Sequence, residues 1–153
     1  MDAARLIAWD AELRAAHTRL RAALAATRQA LDDGDGPADA ASDLLLFCIG
    51  FCSALDGHHR GEDRALFPEL RREHPELGDT IDKLMQDHSM LSHLLGALRT
   101  AAEREEDTAT IGRHLEGIRA IMESHFRFEE REILAPLRAL VLDRDVTEVL
   151  GPL

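Results

Sequence analysis

Two segments of the chain repeat one arrangement of a histidine and a glutamate. His58 is followed by Glu62, and His125 is followed by Glu129, so that each pair is four residues apart. In a helix, residues four apart share one face, so each pair presents a nitrogen and an oxygen toward the same point. Imidazole nitrogens and carboxylate oxygens are common donor atoms for transition metals. The repeated spacing therefore indicates a metal site.

Apolar residues recur every three or four positions through most of the chain, which predicts long amphipathic helices. Pro68 should kink the second helix or distort its last turns. No segment alternates polar and apolar residues as a strand does, so we predict an all-α fold, an up-down-up-down antiparallel four-helix bundle. The predicted helices cover residues 3–32, 38–72, 81–105 and 107 to beyond Ile133, with turns at 32–42 and 72–79 and a short helical turn in the tail 143–153.

Each predicted helix carries a histidine on the stripe that should be apolar. These are His17, His58, His88 and His125. A single buried histidine is usually a hydrogen-bonded core residue, and a single His–Glu pair is usually a weak surface ion pair. Four inward histidines together with Glu62 and Glu129 cannot be explained in either of these ways, because burying all of them without a partner costs several kcal/mol for each group. A metal cation removes that cost by accepting their lone pairs.

The number and type of these donors narrow the choice of metal. Six nitrogen and oxygen donors exceed the four positions of a structural zinc site, and they include no thiolate. They suit a carboxylate-bridged pair of iron or manganese ions. No glutamate lies three residues before any histidine, so the Glu-x-x-His motif of ferritin-like di-iron bundles is absent. The HExxH motif of zinc proteases is absent as well.

The overall composition excludes several classes of protein. A length of 153 residues predicts a single domain, 1–153. The net charge of −11 argues against nucleic acid or an anionic membrane as a partner. The N-terminus lacks the apolar core of a signal peptide, and the longest apolar stretch, 44–55, is too short to cross a bilayer. We therefore expect a cytoplasmic protein. Because the chain has no tyrosine, mechanisms that use a tyrosyl radical are excluded.

The same residues make the chain resemble the hemerythrin-like (HHE cation-binding) family. The resemblance rests on His17, on His58-x3-Glu62 followed by LFP, on Asp87-His88, and on His125-x3-Glu129 followed by a proline. It implies a non-heme di-iron centre in the middle of the bundle, with two iron ions and an oxo or hydroxo bridge. In that centre, Glu62 and Glu129 would bridge the ions, and the four histidines would be terminal ligands.

Two positions depart from the oxygen-carrying members of that family. Those members have a second histidine four residues after the first on the third helix, where this chain has Ser92. His93 follows, but it points about 140° away from His88 around the helix. Carriers also place the last carboxylate five residues after its histidine, at the position of Glu130 rather than Glu129. The missing histidine argues for an open, reactive coordination position rather than reversible oxygen carriage.

His59 lies about 100° around the helix from His58, at the edge of the same stripe. It could be the missing ligand, a hydrogen-bonding neighbour of the ligands, or a surface residue. We favour the last two, because His58 already has the better partner in Glu62. Asp63 and Glu130 are expected to support ligands or to face solvent. Ser92 and His93 remain further candidates for supporting residues.

Several other residues are expected to lie outside the site. His74 and His114 are predicted on the surface. Cys48 and Cys52 are predicted to be small core residues rather than a redox pair, since no cation neighbours them in the sequence. Methionines 85 and 122 are predicted to fill the core near the level of the metal.

Three functions are compatible with the sequence. The first is a di-iron enzyme or scavenger that reacts with dioxygen, peroxide or nitric oxide, the small ligands that the resemblance implies. The second is a protein that senses oxygen or iron without turnover. The third is metal storage, or a bundle that binds zinc or manganese without chemistry. The absence of an attached signalling or DNA-binding domain favours the first.

Overall fold

A computed structural model describes residues 6–33 and 39–152 of the chain. Within these residues, four long helices are supplemented by shorter elements near the ends of the bundle. The α-helices are α1 (Trp9–Asp32), α2 (Asp39–Gly61), α3 (Phe67–Glu73), α4 (Gly78–Glu103), α5 (Thr108–Arg138) and α6 (Val146–Leu150). A π-helical turn (Glu62–Leu66) joins α2 to α3, and a 3₁₀ turn (Pro75–Leu77) precedes α4.

The four long helices form a closed ring in which each packs against two others. Helix α1 contacts α2 and α5, and α4 contacts the same two helices from the opposite side. This arrangement confirms the predicted all-α bundle. The apolar stripes predicted for α4 and α5 are buried throughout, from Ile81 to Leu98 and from Ile111 to Ile133. Asp107 caps the N-terminal end of α5, which begins where it was predicted, since the Asp107 carboxylate accepts a hydrogen bond from the Thr110 backbone N–H at 2.8 Å.

The beginning of the first helix differs from the prediction. Helix α1 begins at Trp9 rather than near residue 3, and Leu6, which continues the apolar spacing, is 86% exposed. Trp9 explains the boundary, because its side chain is fully buried and its indole N–H donates to the Leu142 carbonyl oxygen at 3.0 Å. The contact with Leu142 thus holds the N-terminal end of α1 in place. The predicted positions 3–5 and 34–38, within the first helix and the first turn, lie outside the described residues.

Pro68 distorts the second helix as predicted, through the π-helical turn that precedes it. The Phe67 N–H donates to the Glu62 carbonyl, five residues earlier, and Pro68 can sit in the new first turn because it needs no N–H there. Steps of four residues drift by about 40° each around a regular α-helix. The wider turn absorbs this drift, so that Glu62, Leu66 and Leu70 all stay buried.

The apolar core has two halves separated by a polar layer. One half contains Leu20, Leu24 and Phe126, and the other contains Trp9 and Leu13. His17 lies between them on α1, and the buried polar residues of α2, α4 and α5 lie at the same level. These buried polar side chains therefore form one layer in the middle of the bundle, between the two apolar halves. No helix in the described part of the chain is long and apolar enough to cross a membrane.

Cysteine and methionine positions meet the predictions only in part. Cys48, Cys52 and Met122 are buried in the core. Met85 is 37% exposed, so its prediction as core fill is wrong. It follows Leu84 by one residue and is therefore rotated about 100° away from the buried stripe of α4.

We predict that both cysteine thiols are unreactive in the folded protein. Burial raises the pKa of Cys48 to about 11 and that of Cys52 to about 12, so thiolate is scarce at pH 8. Alkylation by iodoacetamide at pH 8, followed by mass spectrometry, should be about a hundredfold or more slower than in denaturant. Labelling of either thiol at the denatured rate would contradict the packing of α2.

Candidate metal centre

The polar layer brings together all six predicted ligands and His59. His17 comes from α1, His58 and His59 from the end of α2, Glu62 from the π-helical turn, His88 from α4, and His125 and Glu129 from α5. All seven are buried. Their donor atoms fall into two groups, each with its members within 4.8 Å of one another. One group contains His59, Glu62, His88 and His125, and the other contains His17, His58 and Glu129.

Each glutamate lies between histidines of the two groups. Glu62 Oε1 is 3.2 Å from His58 Nε2 and 3.5 Å from His88 Nε2. Glu129 Oε1 is 3.3 Å from His17 Nε2, and its Oε2 is 3.2 Å from His125 Nε2. The four histidines therefore direct Nε2 toward the two carboxylates at the centre of the bundle.

Three of these histidines direct Nδ1 outward to an acceptor. His88 Nδ1 is 2.8 Å from the Asp63 carboxylate, and His125 Nδ1 is 3.1 Å from the Asp87 carboxylate. His58 Nδ1 is 2.8 Å from the Leu150 carbonyl oxygen. Because these oxygens accept hydrogen bonds, each Nδ1 carries a proton, which leaves a lone pair on Nε2 of the neutral ring. This is the usual arrangement of metal-ligating histidine.

The inward nitrogens of His88 and His125 approach each other closely. Their Nε2 atoms are 3.1 Å apart. With both Nδ1 protons donated to carboxylates, two neutral rings would oppose lone pair to lone pair at this distance. A proton or a metal cation between them removes the repulsion. The contact thus requires positive charge at this point of the site.

Many donor atoms at the centre have no hydrogen-bond partner. They are both ring nitrogens of His17 and His59, Nε2 of His58, and both carboxylate oxygens of Glu62 and Glu129. Leaving one buried polar atom unpaired costs about 1–3 kcal/mol, and more for a charged one. So many unpaired atoms in one place are rare in folded proteins, where buried polar groups are otherwise satisfied. A cation that accepts these lone pairs fits the donor set.

Without a cation, it is unfavourable for the two buried carboxyls, Glu62 and Glu129, to be ionised at the same time. Burial and the charge of Glu129 raise the pKa of Glu62 well above its ordinary value. Burial also raises the pKa of Glu129, but its close contacts with Glu62, His125 and His17 outweigh the effect of burial and lower that pKa well below the usual range. The protonated form of Glu62 is therefore favoured without a metal, and a metal held by this carboxylate would compete with the proton.

The pKa values of the buried histidines shift in opposite directions, according to the charges around each ring. Burial lowers the pKa of His58 to about 3 and holds the pKa of His59 well below its ordinary value, so both rings are neutral at pH 7. Burial also lowers the pKa of His17 and His125, but their contacts with Glu129 reverse the direction and raise both. Neutral imidazoles with free lone pairs are the form that binds metal.

The structure corrects the expectation for His59 as a surface residue. Its side chain is 3% exposed, and its ring stacks on that of His88 with centroids 3.8 Å apart. In the last turn of α2, His58, His59 and Gly61 are all buried, and only Arg60 is exposed. His58 and His59 therefore both reach the polar layer.

Ser92 and His93 do not reach the site. Both are exposed on α4, where Ser92 lies about 40° and His93 about 140° around the helix from His88. The Ser92 hydroxyl lies instead near Asp56, whose pKa is raised by burial and lowered in part by Arg60 and by Ser92. Among the described residues, the ring nitrogens of His88 and His125 have Asp63 and Asp87 as their outward partners instead, so a supporting role for Ser92 or His93 stays a prediction. His74 and His114 also lie outside the cluster, each partly exposed.

Asp63 and Glu130 occupy the surroundings of the ligands. Asp63 contacts His88 from a partly exposed position, as described above. Glu130 Oε1 is 3.7 Å from His17 Nδ1, and Glu130 Oε2 is 3.9 Å from Arg21. Burial works against it, but the contact with His17 lowers the pKa of Glu130, which keeps it ionised.

The sequence did not predict three contacts of the cluster. The Asp87 carboxylate accepts a hydrogen bond from His125 Nδ1, although the sequence indicated Asp87 only as part of the Asp87-His88 motif. The Leu150 carbonyl contacts His58 across 92 positions of the chain, and a backbone oxygen leaves no residue-type signal in a sequence. Phe126 stacks on His17 with centroids 3.8 Å apart, a contact that its place beside His125 could have suggested.

Comparison with known proteins agrees with this geometry. The model of one protein family, the hemerythrin HHE cation binding domain, matches residues 10–137, which is most of the chain. Searches of curated proteins and of solved structures gave no significant match. The matched region contains all seven residues of the polar cluster. The chain belongs to the hemerythrin HHE cation-binding family, and its buried histidines and glutamates are positioned for metal binding.

Proposed function

We propose that the cluster binds two iron ions side by side and that this centre binds or reacts with dioxygen, peroxide or nitric oxide. One observation carries the dinuclear assignment. Glu62 and Glu129 each contact one histidine of the first group and one of the second. A carboxylate between two sets of imidazoles is placed to bridge two ions, whereas a single ion would leave one set unpartnered.

The donor chemistry supports iron over zinc. All seven candidate ligands offer nitrogen or oxygen, in a ratio of five imidazoles to two carboxylates. The two thiols of the chain lie in the apolar core among residues such as Leu55 and Leu95, outside both donor groups. Seven nitrogen and oxygen donors without a thiolate exceed a tetrahedral zinc site. Mixed imidazole and carboxylate donors suit a pair of iron ions, and manganese is the alternative.

We assign His59 as the fifth histidine ligand. Neither of its ring nitrogens has a hydrogen-bond partner, and it groups with Glu62, His88 and His125. With His59, the first group would offer an ion three imidazoles, and the group of His17 and His58 would offer two. The set is then no longer one histidine short, which removes the argument from Ser92 against reversible oxygen binding.

The unequal donor sets identify where a small ligand would bind. An ion held by His17, His58 and Glu129 would have fewer protein donors than one held by the other group, which would leave it more room for a diatomic ligand or peroxide. Iron at this site supplies the redox chemistry. The chain's own contribution is a dry, apolar wall, since Phe126 stacks on His17 and Phe67 packs against His88.

Removing a central ligand should abolish iron binding. We expect about two iron ions per chain in the parent protein, as a di-iron bundle requires. Glu62→Ala or His125→Ala should retain no stoichiometric iron, because each substitution removes a donor and leaves the remaining charges unbalanced. Plasma mass spectrometry on protein loaded with ferrous iron measures the content. His114→Ala, on the same helix as His125 but outside the cluster, is the matched control. Unchanged iron in either variant would rule out the assignment.

Iron retention in two alanine variants distinguishes the role of His59 from that of His93. His59→Ala should weaken iron retention by about 10-fold or more against a chelator, since the loss of even a supporting residue has that effect. His93→Ala should behave like the parent protein, because its ring is exposed on α4. Equal retention in the two variants would remove His59 from the ligand set.

Reaction with small oxidants tests the activity. The ferrous protein, prepared without oxygen, should develop a visible charge-transfer band on addition of dioxygen or hydrogen peroxide, or a nitrosyl spectrum with nitric oxide. Repeated loss of peroxide with an unbleached centre would indicate turnover, and a stable adduct would indicate binding alone. The same additions to Glu62→Ala serve as the control. A parent protein that responds to none of the three would contradict the proposed function.

A further inference from the structure

The C-terminal segment 142–152 lies beyond the part of the chain that the family model matches. It nevertheless packs into the bundle, where α6 contacts α1, α2 and the π-helical turn. Val149 and Leu150 are buried in the same half of the core as Trp9. The segment therefore covers the side of the metal centre where α2 ends.

The segment contacts one metal-ligand candidate directly. The Leu150 carbonyl oxygen lies 2.8 Å from His58 Nδ1, in a fully buried contact. A carbonyl can only accept, so the His58 ring must carry its proton on Nδ1. His58 Nε2 then keeps its lone pair and faces Glu62 at 3.2 Å. The contact thus selects the tautomer and the ring orientation that metal binding needs.

Two glycines allow this close approach. A Cβ added at Gly61 would overlap the Val149 carbonyl, while the backbone angles of Gly61 (φ −59°, ψ −47°) are ones that alanine readily adopts. Gly151 has φ +90°, and a Cβ there would lie 2.7 Å from the His58 backbone nitrogen. The absence of a side chain at Gly61 is therefore explained by the segment rather than by the helix.

We propose that the segment 142–152 is a positioning element of the metal centre, which holds His58 in its metal-binding tautomer through the Leu150 carbonyl. The carboxylates of Asp63 and Asp87 fix the tautomers of His88 and His125 in the same way, by accepting a hydrogen bond from Nδ1, and both carboxylates belong to elements of the bundle itself. A neutral carbonyl strengthens an imidazole donor less than a carboxylate does. An ion held by His17 and His58 would consequently be the more easily released of the two. This last point rests on the proposed di-iron function.

The test uses glycine substitutions in the full-length chain. Gly61→Ala and Gly151→Ala should each displace the segment from His58. Gly50→Ala, also on α2, is the matched control, because no atom of the described residues lies within 4 Å of its added Cβ. In a helix interior, alanine is more favourable than glycine. Any loss in Gly61→Ala therefore comes from the contact with the segment.

Histidine nitrogen shifts in the metal-free protein report the tautomer. Long-range ¹H–¹⁵N spectra of the parent chain and of Gly50→Ala should show His58 protonated on Nδ1. In Gly61→Ala and Gly151→Ala, we expect this signature to be lost or mixed. His125, whose acceptor is Asp87, should keep its shifts in all variants, which separates a local effect from general loosening. A parent chain with His58 protonated on Nε2 would overturn the proposal.

Metal release gives the second readout. Transfer of ferrous iron to a chelator should be about 10- to 100-fold faster in Gly61→Ala and Gly151→Ala, the range known for loss of a histidine's hydrogen-bond partner. Because both substitutions displace one segment, the double variant should release iron no faster than the faster single variant. Release at the parent rate in both single variants would overturn the proposal.

The two readouts distinguish this inference from the proposed function. If the parent chain binds no iron but shows the Nδ1 tautomer that Gly61→Ala removes, the di-iron assignment fails and the positioning of His58 stands. If iron binds stoichiometrically while the His58 shifts and the release rates are the same in all variants, the function stands and the positioning role fails.

Discussion

The structure depends on the burial of two carboxyl groups, Glu62 and Glu129, in contact with each other at the centre of a helical bundle. Both are fully buried, and neither has a complete set of hydrogen bonds. Burying like charges together is unfavourable, so the chain must surround them with groups that bring or bind positive charge. The five histidines do this from four helices, and a pair of metal ions would complete the neutralisation.

The remainder of the fold can be understood as support for that layer. Two apolar halves, one around Phe126 and one around Trp9, enclose it and provide the burial that offsets its cost. The π-helical turn after Gly61 keeps Glu62 and the following apolar residues facing inward despite Pro68. Such a local irregularity at a functional site is a common compromise between regular helix geometry and the placement of particular side chains.

The hydrogen-bond partners outside the ligands give the centre an asymmetry. His88 and His125 donate to carboxylates, and His58 donates to a backbone carbonyl that comes from the far end of the chain. The partner determines the tautomer of the ring and the strength of its free nitrogen as a donor. The two groups of ligands therefore differ in the number of their imidazoles and in the hydrogen-bond partners of those imidazoles.

The sequence by itself determined the all-α bundle, the four helices and six of the seven clustered residues, because helical periodicity and four-residue spacing are local properties that a sequence records directly. The tertiary structure decided what depends on distant segments. It buried His59 against His88, turned Ser92 and His93 outward, and brought the Leu150 carbonyl to His58. The edge of a helical stripe faces the core or the solvent according to the neighbouring helices, and a backbone carbonyl is the same in every residue. Neither can be predicted from residue types and spacing.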